Sequence, residues 1–204
     1  MEYYLKAKEM YPNAKCELNY NNNFEFLVAV ILSRQTKDRE VNKITPVLFE
    51  KYKDFYDLSN AAFDTLYKII KPLGLANSKT CDLINLSKSL ASIGYIPTSL
   101  EELKKLDGVG NKTACVYMAE IYKEPHIAVD THVSRVANRL GLSKECDPLK
   151  IQKDLENRYD TTLWIDIHHT FLFLGRYTCL SKHPKCETCL LKDMCKYYKE
   201  NLCH

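Results

Sequence analysis

Apolar residues along this chain recur at spacings of three and four, and no stretch sustains the alternation of a half-buried strand. The pattern predicts helices almost throughout. Asn19 to Asn23 is polar, and Asn23 is suited to cap a helix starting at Phe24. That helix, FEFLVAVILSRQ, is apolar on nearly every side, which places it at the centre of a domain. Another helix is expected after Thr36, kinked or restarted at Pro46. Ser59 can cap a helix reaching Ile70, stopped by Pro72 and Gly74; Asn77 or Ser78 starts the next, which Gly94 closes.

Thr98–Glu101 and Ser99–Glu102 each fit a capping box, so a short helix begins there. It ends at Gly108-Val109-Gly110, and a further helix runs from about Asn111 to Tyr122. Asp130 can cap a helix from Thr131 to Leu140 that Gly141 stops. Asp147-Pro148 is a cap followed by proline at the first helical position. Thr161 or Thr162 starts a long apolar helix through Gly175, and a cysteine cluster follows. No repeat or low-complexity linker marks a domain boundary.

Composition narrows the class. The chain has 204 residues, enough for one or two domains. Hydrophobic residues make up 46% and charged residues 27%, which excludes general disorder. The longest apolar run, Phe26 to Leu32, is far short of the ~18 residues that span a bilayer. The N-terminus carries no secretory pattern. A net charge of +3 is too small to announce a nucleic-acid binder. Nine cysteines without an export signal point to metal ligation ahead of disulfides.

Four of those cysteines, Cys179, Cys186, Cys189 and Cys195, are spaced C-x6-C-x2-C-x5-C. Thiolates bind soft metals, and such spacing lets one loop wrap one centre. A four-cysteine zinc site and a [4Fe–4S] cluster both fit; only one short knuckle is present, which leans away from zinc. Cys203 and His183 are spare donors in principle. Cys16, Cys81, Cys115 and Cys146 are scattered and expected to be small buried apolar residues.

Gly108, Val109 and Gly110 form a tight turn between two helices. Free amides at the following helix start, with its positive dipole end, suit a DNA phosphate bound without regard to sequence. Lys112 falls in the first turn of that helix, where a cation is disfavoured. Burial and the helix N-terminus both make a lysine amine easier to deprotonate, towards a usable nucleophile. Asp130, in IAVDTHV, places a carboxylate at another helix start about eighteen residues on.

These motifs, in this order, resemble the endonuclease III family of DNA glycosylases, in the helix-hairpin-helix superfamily. The residues that carry the resemblance are LSRQTKD (32–38), GLANSK (74–79), LDGVGNKTA, IAVDTHVSRVANRLG, and GRYTC with its cysteine tail. Together they cover roughly residues 16 to 200.

The resemblance implies an all-α fold of two helical domains with an interdomain DNA-binding cleft. The helix-hairpin-helix domain would cover 16–124, and the iron–sulfur domain 1–15 plus 125–204. It implies a [4Fe–4S] cluster on the four cysteines, shaping a basic loop. It implies a bifunctional N-glycosylase and abasic-site lyase acting on oxidised pyrimidines in double-stranded DNA that contains damaged bases or abasic sites. Lys112 would be the nucleophile, and Asp130 its proton acceptor and charge stabiliser. Gln35 would fill the space left by an extruded base, and Leu75 would be an apolar wedge. Gly108, Val109, Gly110, His132 and Arg135 would contact DNA or line the cleft, with Arg176, Lys182 and Lys185 as further phosphate contacts. His168 and His169 are expected to be structural. A cytoplasmic prokaryotic monomer, associated with the nucleoid through DNA and with no membrane attachment, is the expected setting. Asp107, Asn111 and Arg34 depart from the family pattern. An adenine-mismatch glycosylase is disfavoured by Lys112 and by the chain ending at His204.

Overall fold

A computed structural model describes residues 1–201. All regular structure among the described residues is helical. The chain divides into two compact units, one made of Met1–Cys16 with the chain from Lys123 onward, the other of Glu17–Tyr122. In chain order the helices are α1 (Glu2–Met10), α2 (Asn23–Leu32), α3 (Asp38–Lys51), α4 (Phe55–Ser59), α5 (Phe63–Ile70), α6 (Ala76–Ile93), α7 (Leu100–Leu103), α8 (Asn111–Tyr117), α9 (Thr131–Leu140), α10 (Pro148–Arg158), α11 (Trp164–Phe173) and α12 (Lys196–Asn201).

The unit formed by Glu17–Tyr122 is built round α2, where every residue from Phe24 to Leu32 is buried. An all-round apolar helix can only be stable inside such a shell. Phe26 stacks on Tyr117 of α8 with ring centroids 6.0 Å apart. α8 widens into a π turn over Met118–Tyr122.

Several helix ends differ from the sequence expectation. The cap of α2 is Asn22, whose side chain accepts from the amide of Glu25 at 2.9 Å, and Asn23 is already helical. α2 stops at Leu32, so Ser33, Arg34 and Gln35 form a turn and not helix. Pro46 lies inside α3, which continues through it. Ser59 ends a short helix capped by Asp54, and α5 opens after Ala62 without a side-chain cap. α6 begins at Ala76, behind a left-handed Leu75 that no sequence preference signals. Of the two expected capping boxes, Ser99–Glu102 supplies the cap: Ser99 Oγ accepts from the Glu102 amide at 3.4 Å and donates to Glu102 Oε2 at 3.0 Å. Asp160 caps the turn before α11, in place of Thr161 or Thr162.

In the other unit, α1, α9, α10 and α11 share a core that includes Val133, Val136, Ala137, Ile151, Leu155, Ile167 and Phe171. Tyr4 and Lys8 of α1 both bond Asp166 of α11, at 2.5 Å and 2.6 Å. Burial and that carboxylate push the Tyr4 phenol up to about 12. The N-terminal helix is thereby fastened to the C-terminal half of the chain. No helix among the described residues is long and apolar enough to cross a membrane.

Candidate functional site

The hairpin between α7 and α8 is built on a positive φ at Gly108 (+74°). The positive φ favours glycine here, and a Cβ would also stand a tight 3.0 Å from Asp82 Cβ on α6. Val109 is buried and its amide donates to Leu106 O at 3.1 Å; Gly110 is exposed and caps α8 without a side chain. Lys112 stands half-buried in the first turn of α8. Asp107 is exposed.

Two neighbouring loops of the same unit carry backbone strain. Gln35 has φ +53° and Leu75 φ +50°, and both side chains are exposed, Leu75 by 51%. A non-glycine residue in this region costs roughly 1–2 kcal/mol, so the surrounding structure must hold it. Thr36 Oγ1 donates to Leu73 O at 2.5 Å, and the fully buried Lys79 donates to both of those oxygens. Arg34, on the other side of Gln35, is ion-paired with Asp82. That pairing ties down the arginine that departs from the family pattern.

In the other unit, Asp130 caps α9. Its Oδ1 accepts from the amides of His132 and Val133 at 2.8 Å and 2.9 Å, which fixes the carboxylate at the positive end of the helix. Ile127, Ala128 and Val129 before it are buried. Buried His168 holds that segment, with Nδ1 2.9 Å from Ala128 O; a carbonyl partner requires the proton on Nδ1. His132 is half-buried and packs against Gly175. Arg135 donates inward, to Cys179 O at 2.8 Å and Gly175 O at 2.7 Å, and lies 3.2 Å from His132 Nδ1. Its guanidinium thus braces the cysteine loop. Lys182 and Lys185 are exposed on that loop, and Arg176 is half-buried. Lys112 and Asp130 belong to different units.

Cys179, Cys186, Cys189 and Cys195 line one apolar cavity of about 30 Å³, with Leu140, Leu174, Leu191 and Tyr197 among its walls. Burial raises the thiols of Cys186, Cys189 and Cys195, and each of the three also feels the Cys179 sulfur. Backbone amides of Leu191 and of Tyr197 and Tyr198 bond the Cys189 and Cys195 sulfurs, and Arg139 Nη1 lies 3.4 Å from Cys179 Sγ. Amide donors and one guanidinium around four sulfurs suit thiolate charge, so the donor set fits a metal centre held by cysteines. Among the described residues no group of three His, Cys, Asp or Glu side chains is drawn together closely enough to hold a metal ion. The fit rests on the shared lining and on the donors. His183 is exposed at φ +50° and is not part of the lining; Cys203 lies outside the described residues.

Arg139 was not legible as a site residue. It bonds Leu180 O at 2.6 Å and Ser181 O at 3.0 Å and stacks on Tyr197, gripping the loop from α9. The scattered cysteines depart from expectation: Cys115 is buried, but Cys81 and Cys146 are exposed and Cys16 is intermediate. On α6 the core face is carried by Thr80, Leu83, Ser87 and Leu90, which leaves Cys81 outward.

Comparison with known proteins agrees with the helical architecture. Residues 28–160 match the model of the HhH-GPD superfamily base excision DNA repair proteins. The chain is 40% identical to the endonuclease III of Bacillus subtilis over 94% of this chain and 89% of that protein. It is 37% identical to the endonuclease III of Thermotoga maritima over 86% and 84%. A solved non-covalent complex of an endonuclease III with DNA superposes with a TM-score of 0.94 at 38% identity, covering 98% of this chain and 94% of that one. A trapped covalent intermediate of an endonuclease III with DNA gives 0.93 at 38% identity, covering 97% and 94%. The chain belongs to the endonuclease III family, within the HhH-GPD superfamily of base excision DNA repair proteins.

Proposed function

We propose that this protein is a bifunctional DNA N-glycosylase and abasic-site lyase that removes oxidised pyrimidines from duplex DNA and cuts the strand by β-elimination. The observation that carries this reading is Lys112, an amine in the first turn of the helix that opens directly after the Gly108–Gly110 hairpin. A covalent DNA intermediate trapped for a 38%-identical relative supports it.

On this reading a damaged nucleotide is extruded from the duplex before chemistry. The Lys112 nitrogen bonds to C1′ while the N-glycosidic bond breaks, and the base leaves with the electron pair and a proton. The nitrogen loses one proton, its lone pair then breaks the C1′–O4′ bond while O4′ takes up a proton, and an iminium joins Nζ to C1′. Loss of a C2′ proton then expels the 3′ phosphate and cuts the strand. Water releases Lys112 by hydrolysing the imine. Asp130 takes the lysine proton and opposes positive charge on the sugar. Such an interaction is worth more in a water-poor site than in bulk solvent.

Gln35 and Leu75 occupy the gap and press beside it. The Gly108 and Gly110 amides receive a phosphate, and exposed Lys182 and Lys185 add non-specific attraction. His132 lines the reacting region. Arg135 acts on DNA through the loop that it braces.

Cys179, Cys186, Cys189 and Cys195 would hold a [4Fe–4S] cluster, which would supply a stiff anchor for the loop. The enzyme works as a monomer, and its bacterial relatives favour a cytoplasmic site of action. The test is a panel of duplex oligonucleotides with single lesions, scored separately for base release and strand cleavage. Release of thymine glycol followed by cleavage is expected; release of none of the oxidised pyrimidines overturns the assignment.

A further inference from the structure

Two solvent-facing non-glycine residues of this unit, Gln35 and Leu75, have left-handed backbones, and one cation with no exposed surface lies behind both. Lys79 Nζ donates to Thr36 Oγ1 at 2.7 Å and to Leu73 O at 3.1 Å. Thr36 Oγ1 donates to Leu73 O at 2.5 Å. The three polar atoms form a closed triangle. It joins the residue after Gln35 to the residue two before Leu75.

A buried ammonium is expensive unless hydrogen-bonded, and here desolvation and the nearby Arg34 charge hold its pKa down to about 8. An apolar side chain of similar length would pack at this position without that cost. What the amine adds is a directional bond to each loop. The second flank of Gln35 is tied to the same helix, because Arg34 is paired with Asp82 on α6. Both turns are therefore referenced to α6, the helix that Leu75 itself opens.

We propose that Lys79 is a positioning residue which, through Thr36 and Leu73 O, locks the Gln35 turn to the Leu75 loop so that both meet DNA as one preset pair. The inference rests on the proposed function. Unclamped loops must be ordered while the duplex is being opened, and that ordering opposes extrusion. A nucleotide already unpaired has little extrusion left to drive, so it should not need the clamp.

The test uses Thr36→Val, which keeps the shape of the side chain and removes the hydroxyl, with Thr36→Ser as the conservative variant and Lys79→Met as the direct one. Single-turnover base release is measured for one lesion in a paired duplex and in an unpaired bulge, beside affinity for undamaged duplex. Thr36→Val is expected to slow release from the paired site about tenfold, the worth of one hydrogen bond. It should spare the bulge and leave affinity within about twofold, and Thr36→Ser should restore the paired rate. Equal slowing on both substrates, or none, overturns the proposal. Amide exchange of residues 33–37 and 73–76 decides the clamp independently of activity. It should quicken in Thr36→Val and Lys79→Met, and unchanged exchange defeats the proposal. A wild-type protein that releases no base defeats the proposed function alone.

Discussion

Gly175 and His132 are in contact at a point where a methyl group has no room. A Cβ on Gly175 would lie 2.8 Å from His132 Cβ and 3.0 Å from its carbonyl oxygen. The absent side chain lets the π turn after α11 seat against the first turn of α9, two residues from Asp130. Gly175→Ala must therefore push back α9, because the neighbouring atoms are not a flexible tip. Overpacking of this kind costs about 1–3 kcal/mol. A lowered midpoint of urea unfolding is expected, together with slower turnover than the stability loss explains. A variant with wild-type midpoint and turnover contradicts this packing.

Asp130 has two separable jobs. As a cap it accepts two amides through Oδ1, and as a carboxylate it carries charge. Asp130→Asn keeps an acceptor and removes the charge; Asp130→Ala removes both. The alanine variant should lose about 1 kcal/mol of stability and the asparagine variant a few tenths. Both should release base far more slowly than wild type while still binding DNA. An asparagine variant turning over at the wild-type rate removes Asp130 from the chemistry.

Lys79 gives a pH signature. The unfolded chain holds this proton up to the ordinary value near 10.5, whereas the folded protein releases it near 8. Between those values the unfolded state binds more protons, so folding gains stability as pH rises. The stability of wild type relative to Lys79→Met should be flat below pH 8 and climb from 8 to 10.5. Tyrosine titration is common to both proteins and cancels. Urea midpoints at three pH values check this; a constant difference contradicts it.

Much of this fold was legible because its signals are local. Asp130, Asp147, Gly94 and Gly141 all end or begin helices where their chemistry requires. The all-round apolar run Phe26 to Leu32 is a central helix, as its composition demands. What was not legible is set by tertiary contact. No residue preference signals that Leu75 adopts a left-handed backbone, and the bonds that join its loop to the Gln35 turn come from Thr36, distant in sequence, and from Lys79. A lysine near a helix start looks exposed in sequence, and only packing reveals it as buried. The resemblance names Arg135 as a DNA contact; its bonds to Cys179 O and Gly175 O could not be read locally, because they depend on a loop forty residues away. Ser59 has the chemistry of a cap, yet Asp54 claims the earlier start.

The cysteine loop predicts a shared metal centre. Cys189→Ser removes one thiol from the lining of the cavity. The wild-type protein, purified without air, should show broad absorption near about 400 nm and about four irons per chain. The variant should lose most of both and unfold at lower temperature, because binding energy of the centre is folding energy. A colourless wild-type protein with one zinc per chain contradicts the iron–sulfur assignment.

The central claim is that Lys112 is the nucleophile, and borohydride trapping tests it most directly. Reduction of the iminium by borohydride should join wild-type protein irreversibly to an oligonucleotide carrying thymine glycol, with the crosslink mapping to Lys112. Lys112→Gln should give no crosslink and no strand cleavage while still binding the same DNA. A Lys112→Gln protein that still crosslinks and cuts would contradict the account.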